Sequence, residues 1–509
     1  MQNRALSSTK VCLSDSKGQL CLIPATIIFS ANSGKILHIF TNEILPSSSP
    51  LLETYDVPSS NYRNVSPYLI LPGLIDTHVH LNEPGRTEWE GFTTGTQSAI
   101  MGGVTTVIDM PLNAIPATVN VTNFNIKLKE AKKPGKLWCD LGFWGGLIPG
   151  NTKDLIPLIE SGVRGFKGFL IESGVKEFPE VNEMIIKDAM IELESKGYGL
   201  NGDSGETMLM FHAEKVPPLL PQSSHVNAHA HEEEEQQSDY DYNPTKYQTF
   251  LDSRPDFLET QALKTIISLS EQHPQIPLHI VHISSAETIP LLAHAQRELN
   301  LPISAETCFH YLTLNSETVP DKSTSHKCCP PIRSESNRLQ LWRTLLEDHE
   351  NPVIKTVVSD HSPCIPQLKS LESGNFITAW GGISSLGLGL QILHTDLLKS
   401  GIDADVAILK IIQWCAVNTA KQVGLDHFKG AIQVGFDADF IIFNPMESYV
   451  VENSKLLFKN KLSVYDGMTL TGRVLETVLR GNSVFAYDVG VSDVALGRCI
   501  LEKRVKIRS

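Results

Sequence analysis

Six side chains that bind metal ions, or can be converted to do so, stand at the ends of short apolar runs. The first run ends in DTHVH (76–80), where His78 and His80 are two residues apart. Because alternate residues of a strand face the same way, these two imidazoles would point together. Four further runs contribute one such residue each: Lys167, His212, His282 and Asp360. A single histidine would more simply be structural, but the whole set predicts a metal centre.

Lys167 is the unusual member, because it lies within the apolar sequence VRGFKGFL (163–170). Burial lowers the pKa of a lysine, since the charged form loses its hydration. A neutral amine can add CO₂ to form a carbamate, which is an anionic ligand with two oxygens. The alternative is a lysine whose charged end reaches solvent, and the sequence leaves both open.

A repeating pattern of strands and helices must position these residues. Eight apolar runs end at 77–80, 108–111, 143–147, 167–170, 211–214, 281–284, 306–310 and 358–361. Segments with helical spacing lie at 94–101, 154–159, 182–193, 259–270, 286–299, 337–346 and 386–398, and the third connection is the least regular. The alternation indicates an α/β fold with parallel strands, and eight units favour a closed (β/α)8 TIM barrel. Active sites of such barrels lie at the carboxyl ends of the strands.

Both ends of the chain differ from this pattern. Residues 1–68 and 429–509 contain short strand candidates separated by turn residues, so we expect the barrel to span 69–428. Residues 216–250 are acidic and aperiodic, which predicts a long loop after the fifth strand that could act as a partial lid. Its histidines, His225, His229 and His231, could bind a metal, but a solvated insertion is the simpler interpretation.

Composition excludes several classes of protein. Of 509 residues, 41% are hydrophobic and 20% are charged, which is typical of a globular chain. No apolar run approaches about 18 residues, so no membrane span is expected. The net charge of −14, without a basic stripe, argues against nucleic-acid binding. Nine scattered cysteines without a C-x-x-C pair, no recognisable secretory signal and no peroxisomal tripeptide favour reduced thiols and a cytoplasmic protein.

Nine segments of the chain carry a family resemblance. They are GLIDTHVHLNEPGRTEWEGFTTGTQSA (73–99), GGVTTVIDMPLNAIPAT (102–118), GFKGFLIESGVKEFP (165–179), FHAE (211–214), HISSAE (282–287), ETCFHYL (306–312), KCCPPIR (327–333), SDHSP (359–363) and GFDADFIIF (435–443). Together they resemble the amidohydrolase superfamily, in its cyclic amidohydrolase branch, over almost the whole chain. The resemblance implies a distorted barrel with a binuclear metal centre and a small β-sandwich domain formed from both termini.

The resemblance also assigns ligands and an activity. One ion would be held by His78, His80 and Asp360. The other would be held by His212 and His282, with N-carboxylated Lys167 and a hydroxide bridging the two. Two divalent ions against three anionic groups leave one net positive charge to stabilise an oxyanion. Zinc fits these donors, as do Co²⁺, Mn²⁺ and Fe²⁺. The implied reaction is hydrolysis of a cyclic amide, in which Asp360 takes the proton of the hydroxide and delivers it to the leaving nitrogen.

Two positions narrow the substrate within that branch. Dihydroorotases carry an arginine two residues after the H-x-H pair, where this chain has Asn82. Hydantoinases and dihydropyrimidinases carry a tyrosine five residues after the carboxylated lysine, where this chain has Glu172, followed by Ser173. Both absences agree with a neutral ureido-bearing ring. Within the branch, the resemblance then implies (S)-allantoin as the substrate, hydrolysed to allantoate in purine degradation and nitrogen recovery. The alternatives are another cyclic ureide, as in hydantoinases and dihydropyrimidinases, or a non-catalytic scaffold relative.

Further residues are candidates for orienting ligands or contacting substrate: Asn82, Arg86, Ser173, His310, Cys328 and His361. His310 and His361 could be hydrogen-bond donors to ligands or satisfied structural histidines. Arg86 and Glu83 in NEPGR would, by the simpler interpretation, form an ion pair at the start of a helix. The family resemblance also implies a homo-oligomer, expected to be a tetramer.

Overall fold

The chain folds into a barrel of parallel strands with a sheet built from both termini. The computed structural model describes residues 2–216, 242–347 and 351–504. The central part of the predicted 216–250 loop, including His225, His229 and His231, lies outside the described residues. The amino-terminal strands are β1 (Arg4–Ser14), β2 (Leu20–Phe29), β3 (Ile36–Thr41), β4 (Tyr62–Asn64) and β5 (Leu69–Pro72).

The barrel strands confirm the predicted alternation, since one of them ends at or beside each of the eight predicted runs. They are β6 (Leu74–Val79), β7 (Val104–Asp109), β8 (Asp140–Phe143), β9 (Gly145–Gly146), β10 (Phe166–Phe169), β11 (Leu209–His212), β12 (Leu278–Ile280), β13 (Ile303–Cys308) and β14 (Thr356–Val358). Strands β6–β8 and β9–β14 form two parallel sheets in chain order. Strand β8 continues into β9 across Trp144. The other seam closes where Val79 bridges His361 in parallel.

Helices fill the connections between these strands. Their bounds are α1 (Pro50–Thr54), α2 (Phe92–Met101), α3 (Val121–Ala131), α4 (Leu155–Glu160), α5 (Glu183–Ser195), α6 (Tyr247–Ser253), α7 (Phe257–Gln272), α8 (Ile289–Ala293), α9 (Phe309–Thr313), α10 (Glu335–Leu346), α11 (Gly389–Lys399), α12 (Ala404–Ile412) and α13 (Asn418–Gln422). Asn182 and Ser334 cap α5 and α10 by accepting backbone N–H groups of the first turn. Helix α6 starts inside the segment predicted to be a loop, and α3 was not predicted. Every described helix is too short or too polar to cross a membrane.

The terminal strands form one curled sheet. After β14 come β15 (Phe440–Val450), β16 (Thr469–Leu479), β17 (Asn482–Ala486) and β18 (Gly490–Val491), and the strand order is β18-β17-β16-β15-β5-β1-β2-β3, with β4 beside β1. Phe29 on β2 and Phe440 on β15 have ring centres 5.4 Å apart. In a flat sheet these strands would lie about 14 Å apart, so the sheet folds over its own apolar core. This is the small sandwich expected from both termini. Because β5 belongs to it, the sheet extends to Pro72, beyond the predicted boundary at residue 68.

A buried ion cluster joins the sheet to the barrel. The amine of Lys429 lies 2.9 Å from Asp140 at the start of β8, 3.1 Å from Asp437 and 2.7 Å from Asp439 just before β15. Arg480, which follows β16, also pairs with Asp140. All three carboxylates are almost fully buried. Charges of opposite sign therefore compensate one another at the junction.

Candidate metal centre

The six predicted ligands line one cavity at the carboxyl ends of the barrel strands. His78 lies in β6 and His80 follows that strand directly. Lys167 lies in β10, His212 ends β11, and His282 and Asp360 follow β12 and β14. The other residues lining the cavity are Leu112, Asn113, Phe169, Glu172, Ser173, Arg254, Lys327, Cys328, Cys329, Ser362, Trp380, Gly381 and Gly382. Side chains from distant parts of the sequence therefore meet at the barrel mouth.

Asp360 lies between the two histidines of the first strand. Its Oδ1 atom is 3.2 Å from His78 Nε2 and 3.6 Å from His80 Nε2. Burial alone would raise the pKa of Asp360, but the two imidazoles hold it well below its ordinary value. The Asp360 backbone has a φ of 43°, a left-handed conformation that a non-glycine residue rarely adopts. That backbone turn places the carboxylate in the cavity as an anion.

His212 and His282 form a second histidine pair. Nδ1 of His212 is 3.1 Å from Nε2 of His282, and the Nδ1 atom of His282 is buried without a hydrogen-bond partner among the described residues. Burial and the nearby Lys167 hold the pKa of His282 well below its usual value. An imidazole that stays neutral keeps its lone pair available for a metal ion. The φ of His282 is 40°, so its backbone is left-handed like that of Asp360.

Lys167 is buried, so the structure supports one of the two alternatives that the sequence left open. Its amine lies 5.1 Å from the centre of the Phe169 ring, and the same ring stacks on His212 at 4.7 Å between ring centres. Burial lowers the pKa of Lys167 to about 8, although Asp360 and Glu306 oppose this shift. A substantial fraction of the amine is therefore neutral near physiological pH, the form that can add CO₂.

Carboxylates behind the histidines hold the rings in place, and the sequence interpretation did not single them out. Glu306 Oε1 is 2.5 Å from His78 Nδ1, and its Oε2 is 3.0 Å from His279 Nε2. Glu214 Oε2 is 2.6 Å from His212 Nε2. A carboxylate on the outer ring nitrogen fixes the tautomer and makes the inner nitrogen a better ligand.

One signal could have found Glu214. It is two residues after His212, so the alternation rule that paired His78 with His80 also applies to FHAE. Glu214 in turn pairs with Arg254, which lines the cavity. Asn113, also missed, has its Nδ2 atom 3.3 Å from Nδ1 of His80.

The donor set fits divalent metal ions. Ligand atoms of His78, His282 and Asp360 lie within 4.8 Å of one another and all three residues are buried. Nδ1 of His212 and Nε2 of His282 lie 3.1 Å apart, and Nδ1 of His282 has no hydrogen-bond partner among the described residues. A cation would complete this group. All donors are nitrogen or oxygen, which suits borderline ions such as zinc. This is a candidate metal site.

The candidates for substrate contact fall into two groups. Ser173 and Cys328 line the cavity. Asn82 is buried beside it, where its side-chain amide donates to the backbone carbonyl of Pro363 at 3.3 Å. Arg86 instead pairs with Glu177, so its guanidinium is already occupied.

The two additional histidines have different surroundings. His361 Nε2 is 3.1 Å from Glu90, and its Nδ1 accepts from the backbone N–H of Ser385 at 3.2 Å. The carbonyl of His361 accepts from the N–H of His80 at 2.9 Å, which positions a predicted ligand through the backbone. His310 is fully buried, and neither of its ring nitrogens has a partner among the described residues.

Comparison with known proteins defines the class. Residues 69–484 match the Amidohydrolase family, so the chain belongs to the amidohydrolase family, as the resemblance predicted. Among its curated relatives, an allantoinase of Saccharomyces cerevisiae is 48% identical over 483 residues, covering 94% of this chain and 96% of that protein. An allantoinase of Arabidopsis thaliana is 37% identical, with 84% of this chain and 79% of that protein covered.

Solved structures confirm the fold. The L-hydantoinase (dihydropyrimidinase) from Arthrobacter aurescens superposes with a TM-score of 0.81 at 24% identity, covering 99% of this chain and 100% of that one. The dihydropyrimidinase from Brevibacillus agri superposes with a TM-score of 0.78 at 22% identity, covering 100% of both chains. The distorted barrel with a terminal β-sandwich is therefore the architecture of this chain.

Proposed function

We propose that this chain is an allantoinase, which hydrolyses the ring amide bond of (S)-allantoin to give allantoate in purine nitrogen recovery. The observation that carries the proposal is the convergence of six predicted ligands in one cavity of a chain that is 48% identical to a curated allantoinase. The match covers 94% of this chain and 96% of that protein, so it is not confined to one part of the fold.

The proposed cofactors are two divalent ions, expected to be zinc. His78, His80 and Asp360 would hold one ion, and His212 and His282 the other, with carboxylated Lys167 between them. When bound, such ions lower the pKa of water towards about 7 and polarise the carbonyl that is attacked. The buried amine of Lys167 supplies the group that becomes the carbamate. A carbon-13 spectrum recorded with labelled bicarbonate tests the carbamate. The absence of a carbamate signal from Lys167 would contradict the proposed carboxylation.

Asp360 is the proposed proton carrier. Its carboxylate takes the proton of the attacking water at the ring carbonyl, and then delivers it to the ring nitrogen as the amide bond breaks. The 3.2 and 3.6 Å distances to His78 and His80 keep the carboxylate in the cavity. The products are a carboxylate and a second open ureido group, as in allantoate.

The basic side chains in the cavity wall already have partners within the protein, which favours a neutral substrate. Arg254 pairs with Glu214, and Lys327 donates to the backbone carbonyls of Ile377 at 2.8 Å and Ala379 at 2.6 Å. Glu214 already compensates the charge of Arg254 and the Lys327 amine is bound to two carbonyls, which disfavours a substrate carboxylate of the kind that dihydroorotate carries. Allantoin is uncharged and rich in hydrogen-bonding groups, so it suits this wall.

One experiment separates the proposal from its alternatives. Purified protein is analysed for bound metal, and hydrolysis rates are measured with allantoin, hydantoin and dihydrouracil. We expect metal to be bound and allantoin to have the highest kcat/KM. Preference for either other ring would indicate a hydantoinase or dihydropyrimidinase, and protein without bound metal or activity would indicate a scaffold.

The Asp360→Asn variant tests the proposed proton carrier. We expect this nearly isosteric change to leave the fold intact and to lower kcat by at least about 100-fold, because the amide cannot take the proton. Metal content and circular dichroism are measured beside the rate. A metal-loaded variant that kept its turnover would refute the role.

The tetrameric state and the cytoplasmic location stay predictions, the first of which sedimentation analysis would test.

A further inference from the structure

A second group of possible metal ligands shares Asp360 with the six residues described above. Cys308, His310 and Asp360 each offer one ligand atom, and these atoms all lie within 4.8 Å of one another. Cys308 ends β13 and pairs with Val358 in β14. Two residues further along each chain segment, His310 in the first turn of α9 falls level with Asp360. The register of two adjacent strands therefore builds the group.

The surroundings of His310 independently indicate that a ligand is missing from this group. The side chain is 0% exposed, yet neither Nδ1 nor Nε2 has a hydrogen-bond partner among the described residues. A buried imidazole with both nitrogens unpaired is costly, since it gives up its hydrogen bonds to water without replacement. A cation between His310, Cys308 and Asp360 would bind the lone pair of one of these nitrogens.

We propose that Cys308, His310 and Asp360 form a second cation site, specific for thiolate-binding divalent ions such as Zn²⁺ and Cd²⁺. One thiolate, one carboxylate and one neutral imidazole balance the charge of one divalent ion. Around a tetrahedral ion the ligand atoms lie about 3.5 Å apart, so closing the group requires shifts of about 1 Å. Two residues of the site come from one short segment, which keeps them close.

The thiol makes the site selective. Binding replaces the Cys308 proton, which leaves to solvent as the metal–sulfur bond forms. A thiolate is a soft ligand, so the site favours ions that prefer sulfur over Mg²⁺ and Mn²⁺, which prefer oxygen ligands.

Occupancy of this site would withdraw Asp360 from the catalytic cavity. The same carboxylate lies 3.2 Å from His78 and 3.6 Å from His80, and it also offers an oxygen within 4.8 Å of the ligand atoms of Cys308 and His310. Excess Zn²⁺ or Cd²⁺ is therefore expected to inhibit hydrolysis. This consequence, unlike the binding itself, rests on the proposed function.

Cadmium titration of the metal-loaded enzyme tests the binding. The catalytic ligand set contains no sulfur, so ultraviolet cadmium–thiolate absorption reports only cysteine sites. We expect one such site per chain in the wild type, and affinity at least about 10-fold weaker in Cys308→Ser and in His310→Gln. Cys415→Ser, a buried thiol on the same barrel, and Cys329→Ser, a thiol of the cavity wall, are the matched controls and should keep the absorption.

Each outcome is decisive. Absorption that persists in Cys308→Ser, or disappears in Cys329→Ser, overturns the proposal, as does a wild type without any cadmium–thiolate absorption. Circular dichroism and thermal melting show whether each variant is folded. If Cys308→Ser does not fold, the weaker cadmium binding of His310→Gln provides the test instead. Inhibition of allantoin hydrolysis by cadmium, relieved in Cys308→Ser, supports the coupling to Asp360. A cadmium–thiolate site in a protein without allantoin hydrolysis would preserve this site while refuting the proposed function.

Discussion

At the scale of single residues, the candidate centre depends on carboxylates that do not enter the cavity. Glu306 contacts the outer nitrogen of His78 and also accepts from His279. Burial would raise the pKa of Glu306, but the two histidines hold it well below the ordinary range. The carboxylate is therefore an anion fixed behind a ligand, and it strengthens that ligand without touching the metal.

Removing the charge of Glu306 should weaken metal binding. In Glu306→Gln we expect metal affinity to fall by about 10- to 100-fold, because the amide no longer stabilises the tautomer of His78. Metal content and hydrolysis rate are followed during titration with a chelator, and excess metal should restore much of the rate. The exposed Glu298→Gln serves as control. Equal chelator sensitivity of Glu306→Gln and wild type would contradict the prediction.

Glu214 predicts how stability responds to acid. Burial raises its pKa, but Arg254 and the hydrogen bond with His212 outweigh burial and lower it to about 2. A depressed carboxylate pKa stabilises the fold above the unfolded value near 4.5, and this contribution is lost as pH falls towards 2. The contribution at neutral pH is on the order of 3 kcal/mol.

The Glu214→Gln variant isolates that contribution. We expect a lower melting temperature than wild type at pH 7, and a difference that shrinks as pH falls from about 4.5 to 3. Calorimetry across that range provides the measurement, with the exposed Glu180→Gln as the matched control. A difference that stays constant with pH would show that the ionised carboxylate is not the cause.

The residues that sequence could and could not identify differ in a physical way. Histidines and an aspartate at strand ends can be recognised from their position in the sequence, because the carboxyl ends of all barrel strands meet at the barrel mouth. Glu306 escaped notice because its importance comes from His78, which is 228 positions away in sequence. Arg254 escaped because it follows an aperiodic segment, where no register fixes the direction of a side chain.

At the scale of elements, the strands of the eight predicted runs could be recognised from the sequence, and helix α3 could not. Strands buried on both faces read as continuous apolar runs. Helix α3 buries Lys127 together with Phe124 and Leu128, and the Lys127 amine lies 2.5 Å from Asp109. A charged residue on the buried face breaks the apolar period that predicts a helix. The ion pair with a neighbouring strand, which the sequence does not reveal, makes that face compatible with burial.

Lys327 holds the loop 377–382 against the cavity wall through hydrogen bonds. Its amine donates to the carbonyls of Ile377 and Ala379, and its own carbonyl accepts from Gly382 at 2.8 Å. In Lys327→Met we expect the loop 377–382 to loosen and KM to rise by about tenfold, with a smaller change in kcat, because two charged hydrogen bonds are lost while the ligands remain. Steady-state kinetics and hydrogen exchange in this loop are the measurements. The exposed Lys399→Met is the control, and an unchanged KM would contradict the role.

At the scale of the whole molecule, the ion cluster around Lys429 connects the terminal sheet to the barrel. In Lys429→Met, Asp140, Asp437 and Asp439 lose the amine that compensates their charge. We expect the free energy of unfolding to fall by about 3–5 kcal/mol, since Asp439 loses its ion-pair partner among the described residues, while Asp140 keeps only Arg480 and Asp437 keeps Lys35. Catalysis well below the melting temperature should change little, because none of these residues lines the cavity.

Denaturant unfolding of Lys429→Met provides the measurement. Lys455→Met, which removes an exposed lysine paired with Glu452 at 2.6 Å, is the matched control and should change stability by about 0.5 kcal/mol or less. Equal stability of the two variants would show that the junction does not depend on the buried amine.

The left-handed backbone at His282 and Asp360 has a consequence for attempts to engineer this chain. Each such conformation costs about 1–3 kcal/mol in a residue with a side chain, and glycine or asparagine adopts it more easily. Selection for heat resistance alone would therefore enrich glycine or asparagine at positions 282 and 360. The survivors would be robust scaffolds that no longer turn over substrate, so a thermostability screen of this chain has to be run together with an activity screen.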